Sequence, residues 1–140
     1  MNENFEAIIY FSFLNILKFF KLLILWAPID PKLKTEGIKL NISNWRRPAP
    51  NTIPWDSKAA GLYMICTLSK HEAEQQGYAD SLMLDHEGNV AEATGANIFF
   101  KDKEGSLHTP IPDSFLDGIT RRAIIEIAKS KNIKIHERKI

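Results

Sequence analysis

The sequence predicts a mixed α and β fold of the α+β class, and three features carry that prediction. Short strand-like runs recur within 37–43, 81–100 and 133–139, the first and last alternating apolar with polar residues. Two stretches, 58–76 and 120–131, repeat apolar residues at helical spacing. A Glu87-Gly88-Asn89 turn between two strand-like runs marks a hairpin, which argues against a purely parallel sheet. The expected architecture is one sheet covered by the two helices.

The elements follow in chain order. Residues 8–26 form the most apolar run, interrupted by Asn15, Lys18 and Lys21. A spanning helix wants about 20 apolar residues with few charges, and a central lysine costs roughly 2.5–3.5 kcal/mol on insertion. Glu3 and Glu6 stand where a secretory signal carries basic residues. Three readings remain for this run: a buried segment, an interfacial amphipathic helix, or a region with no native role. Residues 37–43 read as a strand with one wet face, and 44–57, with three prolines, as an extended loop. The helix from Lys58 to about Gln76 places Ala59, Leu62, Tyr63, Cys66 and Ala73 on one side and stops at Gly77. SLMLD (81–85), VAEAT (90–94) and ANIFF (96–100) follow as strands, and a second turn at 101–106 leads to LHTP. Residues 111–118 form a loop. The second helix puts Ile124, Ile125, Ile127 and Ala128 inward and Arg121, Arg122, Glu126 and Lys129 towards water.

Composition removes several classes of function. The 140 residues are 44% hydrophobic and 25% charged, as in a globular domain. A net charge of +1 and the lack of a basic stripe give no reason to expect nucleic acid as a partner. Cys66, the one cysteine, forms no internal disulfide, which fits a reducing cytoplasm. His71, His86, His108 and His136 are scattered and read as surface or loop residues; His86 and His108 fall near hairpin turns, and no metal is expected.

Three local features can carry chemistry. Lys58 stands where a proline-rich loop meets a helix; it is solvated punctuation, or a Schiff-base lysine whose amine must be partly desolvated to act as a nucleophile. Glu92 lies in a strand-like run and either faces water or points inward, where a carboxylate needs a cation or several donors. Asn97 could supply one such bond. Leu116–Arg121 opens a helix with Gly118 and Thr120, which is an ordinary helix start with Asp117 near the cap, or a place where backbone N–H groups attract an anion.

Taken in order, SKAAGLYMICTLSKHEAEQQGY, LMLDHEGNVAEATGANIF and HTPIPDSFLDGITRRAIIEIA, with NWRRPAPNTIP before them, resemble the large-domain motifs of class IV pyridoxal-phosphate aminotransferases, in particular the bacterial branched-chain amino acid group. The resemblance covers about residues 22–140, leaving 1–21 as an apolar segment that matches nothing in the family's small domain. It implies the large, cofactor-binding domain of a fold-type IV enzyme, truncated at both ends, with pyridoxal 5'-phosphate as cofactor. Lys58 matches the lysine that holds the cofactor as a Schiff base and then moves the proton. Glu92 matches the carboxylate facing the pyridine nitrogen, and Asn97 falls where it could orient Glu92. Tyr63 matches the tyrosine on the phenolic oxygen, Leu116 a residue packed on the ring, and Gly118, Ile119 and Thr120 the phosphate-binding helix start. Met64, Ile65, Leu68 and Ile98 are expected in the core, and Cys66 as a small buried hydrophobe.

The reaction implied is amino transfer from leucine, isoleucine or valine to 2-oxoglutarate. Its partners are thus a small amino acid and a 2-oxo acid, in a cytoplasmic enzyme of branched-chain amino acid biosynthesis. Intact family members are homo-oligomers about twice this length; their additional segments supply an arginine and another contact to the phosphate and part of the substrate pocket. Without those segments the chain is expected to bind cofactor weakly and to turn over little. Three alternatives stand beside this: an inactive remnant that keeps residual cofactor binding, a D-amino acid aminotransferase or aminodeoxychorismate lyase relative, and a small membrane-anchored protein built on 8–26.

Overall fold

The computed structural model describes residues 6–8 and 36–140. Apart from Ile8, the apolar run at 8–26 lies outside the described residues. Seven strands are described: β1 (Glu6–Ile8), β2 (Leu40–Arg46), β3 (Asp80–Leu84), β4 (Val90–Ala93), β5 (Phe99–Lys101), β6 (Leu107–Thr109) and β7 (Ile135–Glu137). They form two sheets rather than the single one expected, in the orders β1-β5-β6-β7 and β2-β3-β4. Each sheet mixes parallel and antiparallel pairs: β2 and β6 lie parallel to β3 and β7, while β3/β4 and β5/β6 are hairpins. The mixed α and β character stands, and both hairpins fall where turn chemistry places them.

The strand expected at 37–43 is shifted to Leu40–Arg46. Gly37 has φ +73°, a left-handed turn rather than strand geometry. Pairing runs on into the expected loop because Arg47 N–H donates to the Leu84 carbonyl at 2.8 Å. A parallel pair needs a crossover, and the helical segment supplies it. That segment does not begin as α-helix at Lys58: a 3-10 turn at Ala60–Tyr63 comes first, and α1 runs Met64–Gln75. Among the described residues neither helical start has a side-chain cap. Gly77, at φ +82°, closes α1 as expected, with Tyr78 N–H on the Ala73 carbonyl at 2.9 Å.

The buried side of α1 carries Cys66, Ser69 and Ala73. Met64 and Leu68, assigned to the core from sequence, are 65% and 42% exposed, whereas Ile98 is buried. A serine displaces the leucine because α1 lies close on β2 and β3. The Ser43 and Ser69 hydroxyls meet at 2.6 Å, and Ser81 Oγ donates to the Ser69 carbonyl at 2.9 Å. Local hydrophobic period cannot anticipate a small polar contact of this kind.

Helix α2 spans Ile119–Ser130. Its buried stripe is Arg121, Ile125 and Ala128, while Ile127 is 54% exposed. Arg121 thus points inward, against the expectation that it faces water. Its guanidinium donates to Asp117 Oδ1 at 2.8 Å, the Pro110 carbonyl at 3.0 Å and Glu137 Oε2 at 2.7 Å, which offsets its desolvation. Asp117 is therefore a partner of Arg121, and the cap position belongs to Gly118. His108 also departs from the surface reading: it is buried on β6, bonded to Asp102 Oδ2 at 2.9 Å and stacked on His136 at 5.0 Å.

Candidate functional site

Strand β4 presents Glu92. Its neighbours Ala91 and Ala93 are fully buried, and the Glu92 side chain is 13% exposed. Glu92 therefore points inward rather than to water, and its neighbours on the strand are buried as well, so β4 is covered on both faces. A carboxyl held this far from water favours its neutral form. Burial pushes the Glu92 carboxyl up to about 8, against a lowering pull from Arg47. The Arg47 Nε lies 3.4 Å from Glu92 Oε1.

Arg47 is a site residue that the motifs alone do not single out. It is 3% exposed, just past β2, while its neighbour Arg46 is exposed. Its Nε donates to the Ser114 carbonyl at 3.2 Å, and its Nη1 to the Leu62 carbonyl at 3.2 Å and Cys66 Sγ at 3.5 Å. The guanidinium thus joins four segments. Two signals point to it: a carboxylate expected inside needs a cation, and an arginine doublet at a strand end sends its members to opposite faces.

Tyr63 closes the 3-10 turn and is half-buried. Burial raises its hydroxyl above the ordinary range, with the charges of Glu92 and Cys66 adding and Arg47 opposing. Cys66 is buried, as expected, and its thiol is raised by burial first. Tyr63 and Cys66 thus share the electrostatic neighbourhood of Glu92.

Asn97 does not orient Glu92. Its Nδ2 donates to the Leu116 carbonyl at 2.9 Å, and its Oδ1 accepts from Gly118 N–H at 3.2 Å. Asn97 therefore clamps the loop that delivers α2. Leu116 and Thr120 are half-buried, and Ile119 is 70% exposed at the first position of the helix. The first turn of α2 holds no acidic residue, and its end is electropositive. A Cβ built on Gly118 would stand 2.3 Å from Asn97 Oδ1, so a side chain there must push the Asn97 amide aside and disturb the clamp. Gly118→Ala is expected to cost about 1–3 kcal/mol through overpacking, measured by urea denaturation. In an Asn97→Ala background the same change should cost clearly less, and equal costs in both backgrounds would refute the clash.

Lys58 sits in the loop before the 3-10 turn. It is exposed and makes no hydrogen bond or ion pair among the described residues. The partial desolvation expected of a Schiff-base lysine is not present: Lys58 is exposed, as are Ala59 and Ala60 after it. The structure thus stitches the segments bearing Tyr63, Glu92 and Leu116–Thr120 together through Arg47 and Asn97, and leaves Lys58 outside that network. Among the described residues no group of three or more acidic, histidine or cysteine side chains could hold a metal ion, and no helix is long and apolar enough to cross a membrane.

Residues 18–140 match the family described as Amino-transferase class IV. A probable branched-chain-amino-acid aminotransferase of Rickettsia bellii is 48% identical over 118 residues, which is 84% of this chain and 40% of that protein. The crystal structure of the branched-chain amino acid aminotransferase from Escherichia coli superposes with a TM-score of 0.71 at 42% identity, over 75% of this chain and 36% of that one. The same enzyme type from Thermobaculum terrenum, solved in its PLP form, gives a TM-score of 0.69 at 35% identity, over 74% of this chain and 34% of that one. The chain therefore spans about two fifths of the length of such relatives.

Proposed function

The chain belongs to the class IV aminotransferase family, and from that premise we propose that it is the cofactor-binding part of a branched-chain amino acid transaminase. The amine would pass from leucine, isoleucine or valine to 2-oxoglutarate. The observation that carries this reading is the buried Glu92 carboxyl, tied by Arg47 to the segments that bear Tyr63 and the start of α2.

These residues fit pyridoxal phosphate. A carboxyl that burial has raised to about 8, with Arg47 as its only ion-pair partner among the described residues, is suited to a second cation such as a protonated pyridine nitrogen. A helix start with no acidic residue in its first turn suits a phosphate. When bound, the cofactor supplies a ring that accepts the electron pair left on the substrate Cα. Glu92 would hold the proton on the ring nitrogen. Tyr63 would hydrogen-bond the phenolic oxygen, and Leu116 would pack on the ring. Gly118, Ile119 and Thr120 would bind the phosphate, held in place by Asn97. Lys58 Nζ would anchor the cofactor and take the proton from the substrate Cα.

Within this reading residues 22–140 are part of the large domain and 1–21 precede it. The enzyme would be cytoplasmic, act in branched-chain amino acid biosynthesis and, with its remaining segments, form homo-oligomers. A second reading, a cofactor-binding remnant with little turnover, is favoured by the exposure of Lys58, because a carbon–nitrogen link to an exposed amine is open to hydrolysis.

One experiment tests the proposal. The chain is incubated with pyridoxal phosphate, reduced with borohydride and digested, and the modified peptide is identified by mass. Modification concentrated at Lys58 is expected, and even labelling of surface lysines would overturn the assignment. A single half-reaction, followed as 2-oxo acid release, should favour L-leucine. Preference for D-alanine would point to a D-amino acid relative, and no release from either would leave the remnant.

A further inference from the structure

We propose that Arg47 is a positioning residue that sets the charge of Glu92 and fixes the cofactor's acid to the phosphate-binding loop as one unit. The inference deepens the reading above and rests on it for the identity of the ligand.

The geometry starts from a cost. A guanidinium that is 3% exposed must recover its lost hydration through hydrogen bonds. Arg47 does so with groups from four separate segments, three of which carry a proposed contact to the cofactor. The Leu62 carbonyl adjoins Tyr63 in the 3-10 turn. Ser114 lies in the loop that ends at Gly118, and its carbonyl accepts from Nε. Glu92 sits on β4, 3.4 Å from the same Nε. One rigid fork thus spans three places that must keep a common geometry. A lysine could not reproduce this, because its single ammonium lacks the planar set of donors.

The charge argument is separate. Among the described residues, the titratable groups acting in this neighbourhood are Arg47 past β2, Tyr63 in the 3-10 turn, Cys66 on α1 and, acting on Cys66, the buried Asp80 of β3. Tyr63 and Cys66 are uncharged in their usual forms, so Arg47 is the one cation opposing the burial of Glu92. Removing it should leave the carboxyl neutral over a wider range and unable to balance a cationic ring nitrogen.

The test uses the full chain without cofactor. Carboxyl carbons of glutamate are labelled, and the Glu92 resonance is identified by its loss in Glu92→Gln. In Arg47→Gln its titration midpoint should rise by about one pH unit or more. In the wild-type protein the Arg47 Nε resonance should titrate with the midpoint of Glu92, a readout that needs no variant to fold. A flat Nε resonance, or an unchanged Glu92 midpoint in a folded Arg47→Gln protein, overturns the inference. Pyridoxal-phosphate titration, read by absorbance, then separates the two claims. Affinity about tenfold weaker in Arg47→Gln supports both, and equal affinity overturns the role of Arg47 towards the cofactor. Coupled titration in a wild-type protein that takes up no pyridoxal phosphate sinks the cofactor reading while the pairing of Arg47 with Glu92 survives.

Discussion

Lys58→Ala is expected to eliminate covalent capture of pyridoxal phosphate and to slow amine release from leucine by roughly 10²–10⁴-fold, the range that one positioned acid–base group contributes. The same change should leave the fold alone. Lys58 is exposed and makes no hydrogen bond or ion pair among the described residues, so its truncation should move stability by no more than about 0.5 kcal/mol. This separation makes the experiment decisive, because lost chemistry cannot be blamed on lost structure. Urea denaturation checks the second half, and absorbance with product analysis checks the first. Undiminished covalent capture in the variant would assign the anchoring amine to another lysine.

Glu92→Gln is expected to change how the stability of the cofactor-free protein depends on pH. The Glu92 carboxyl is raised from 4.5 to about 8 in the folded chain, chiefly by burial and against the pull of Arg47. Between those values the native state therefore holds a proton that the unfolded state has released. Stability must fall as pH rises through that window, because folding is linked to proton uptake. A tenfold difference in proton affinity between the two states corresponds to about 1.4 kcal/mol, so the loss from this one group reaches roughly 3–5 kcal/mol by about pH 8.5. Glutamine does not titrate and removes this slope. The loss of the charge pair with Arg47 is felt only as Glu92 ionises towards about pH 8, so it belongs to the same linkage and leaves the acid side of the window untouched. The readout is accordingly the slope of unfolding free energy between about pH 5 and 8.5, steeper in the wild type than in the variant. Parallel slopes would mean that Glu92 is ionised and well solvated in the folded chain. Bound pyridoxal phosphate should flatten the wild-type slope, since a cationic ring nitrogen lowers the carboxyl's demand for a proton.

How far the sequence can be read differs from element to element. The Glu87-Gly88-Asn89 turn is legible because Gly88 adopts φ +96°, a conformation that most side chains resist, and Asp85 gathers the Glu87 and Asn89 N–H groups at 2.9 and 2.8 Å. Gly77 ends α1 for a similar local reason. The start of α1 is not legible, because the apolar spacing from Ala59 suits a 3-10 turn followed by an α-helix as well as one long helix. Asn97 stands out in the sequence as a structural donor, but its partner does not, since its target lies about 20 residues later in the chain.

From β2 onward the sequence by itself determined the order of strands and helices, the two hairpins and the family motifs, because turn residues, hydrophobic period and motif spacing act over a few neighbouring positions; β1 was not among them. Only the tertiary structure decided which polar side chains go inside. Arg47, Arg121 and His108 are all buried, and each is held there at least in part by partners that no local pattern contains. Arg47 depends on Ser114 and Glu92, Arg121 on Pro110 and Glu137, and His108 stacks on His136. A charge can leave water only when distant groups arrive to replace it, and that arrival is a property of the folded chain.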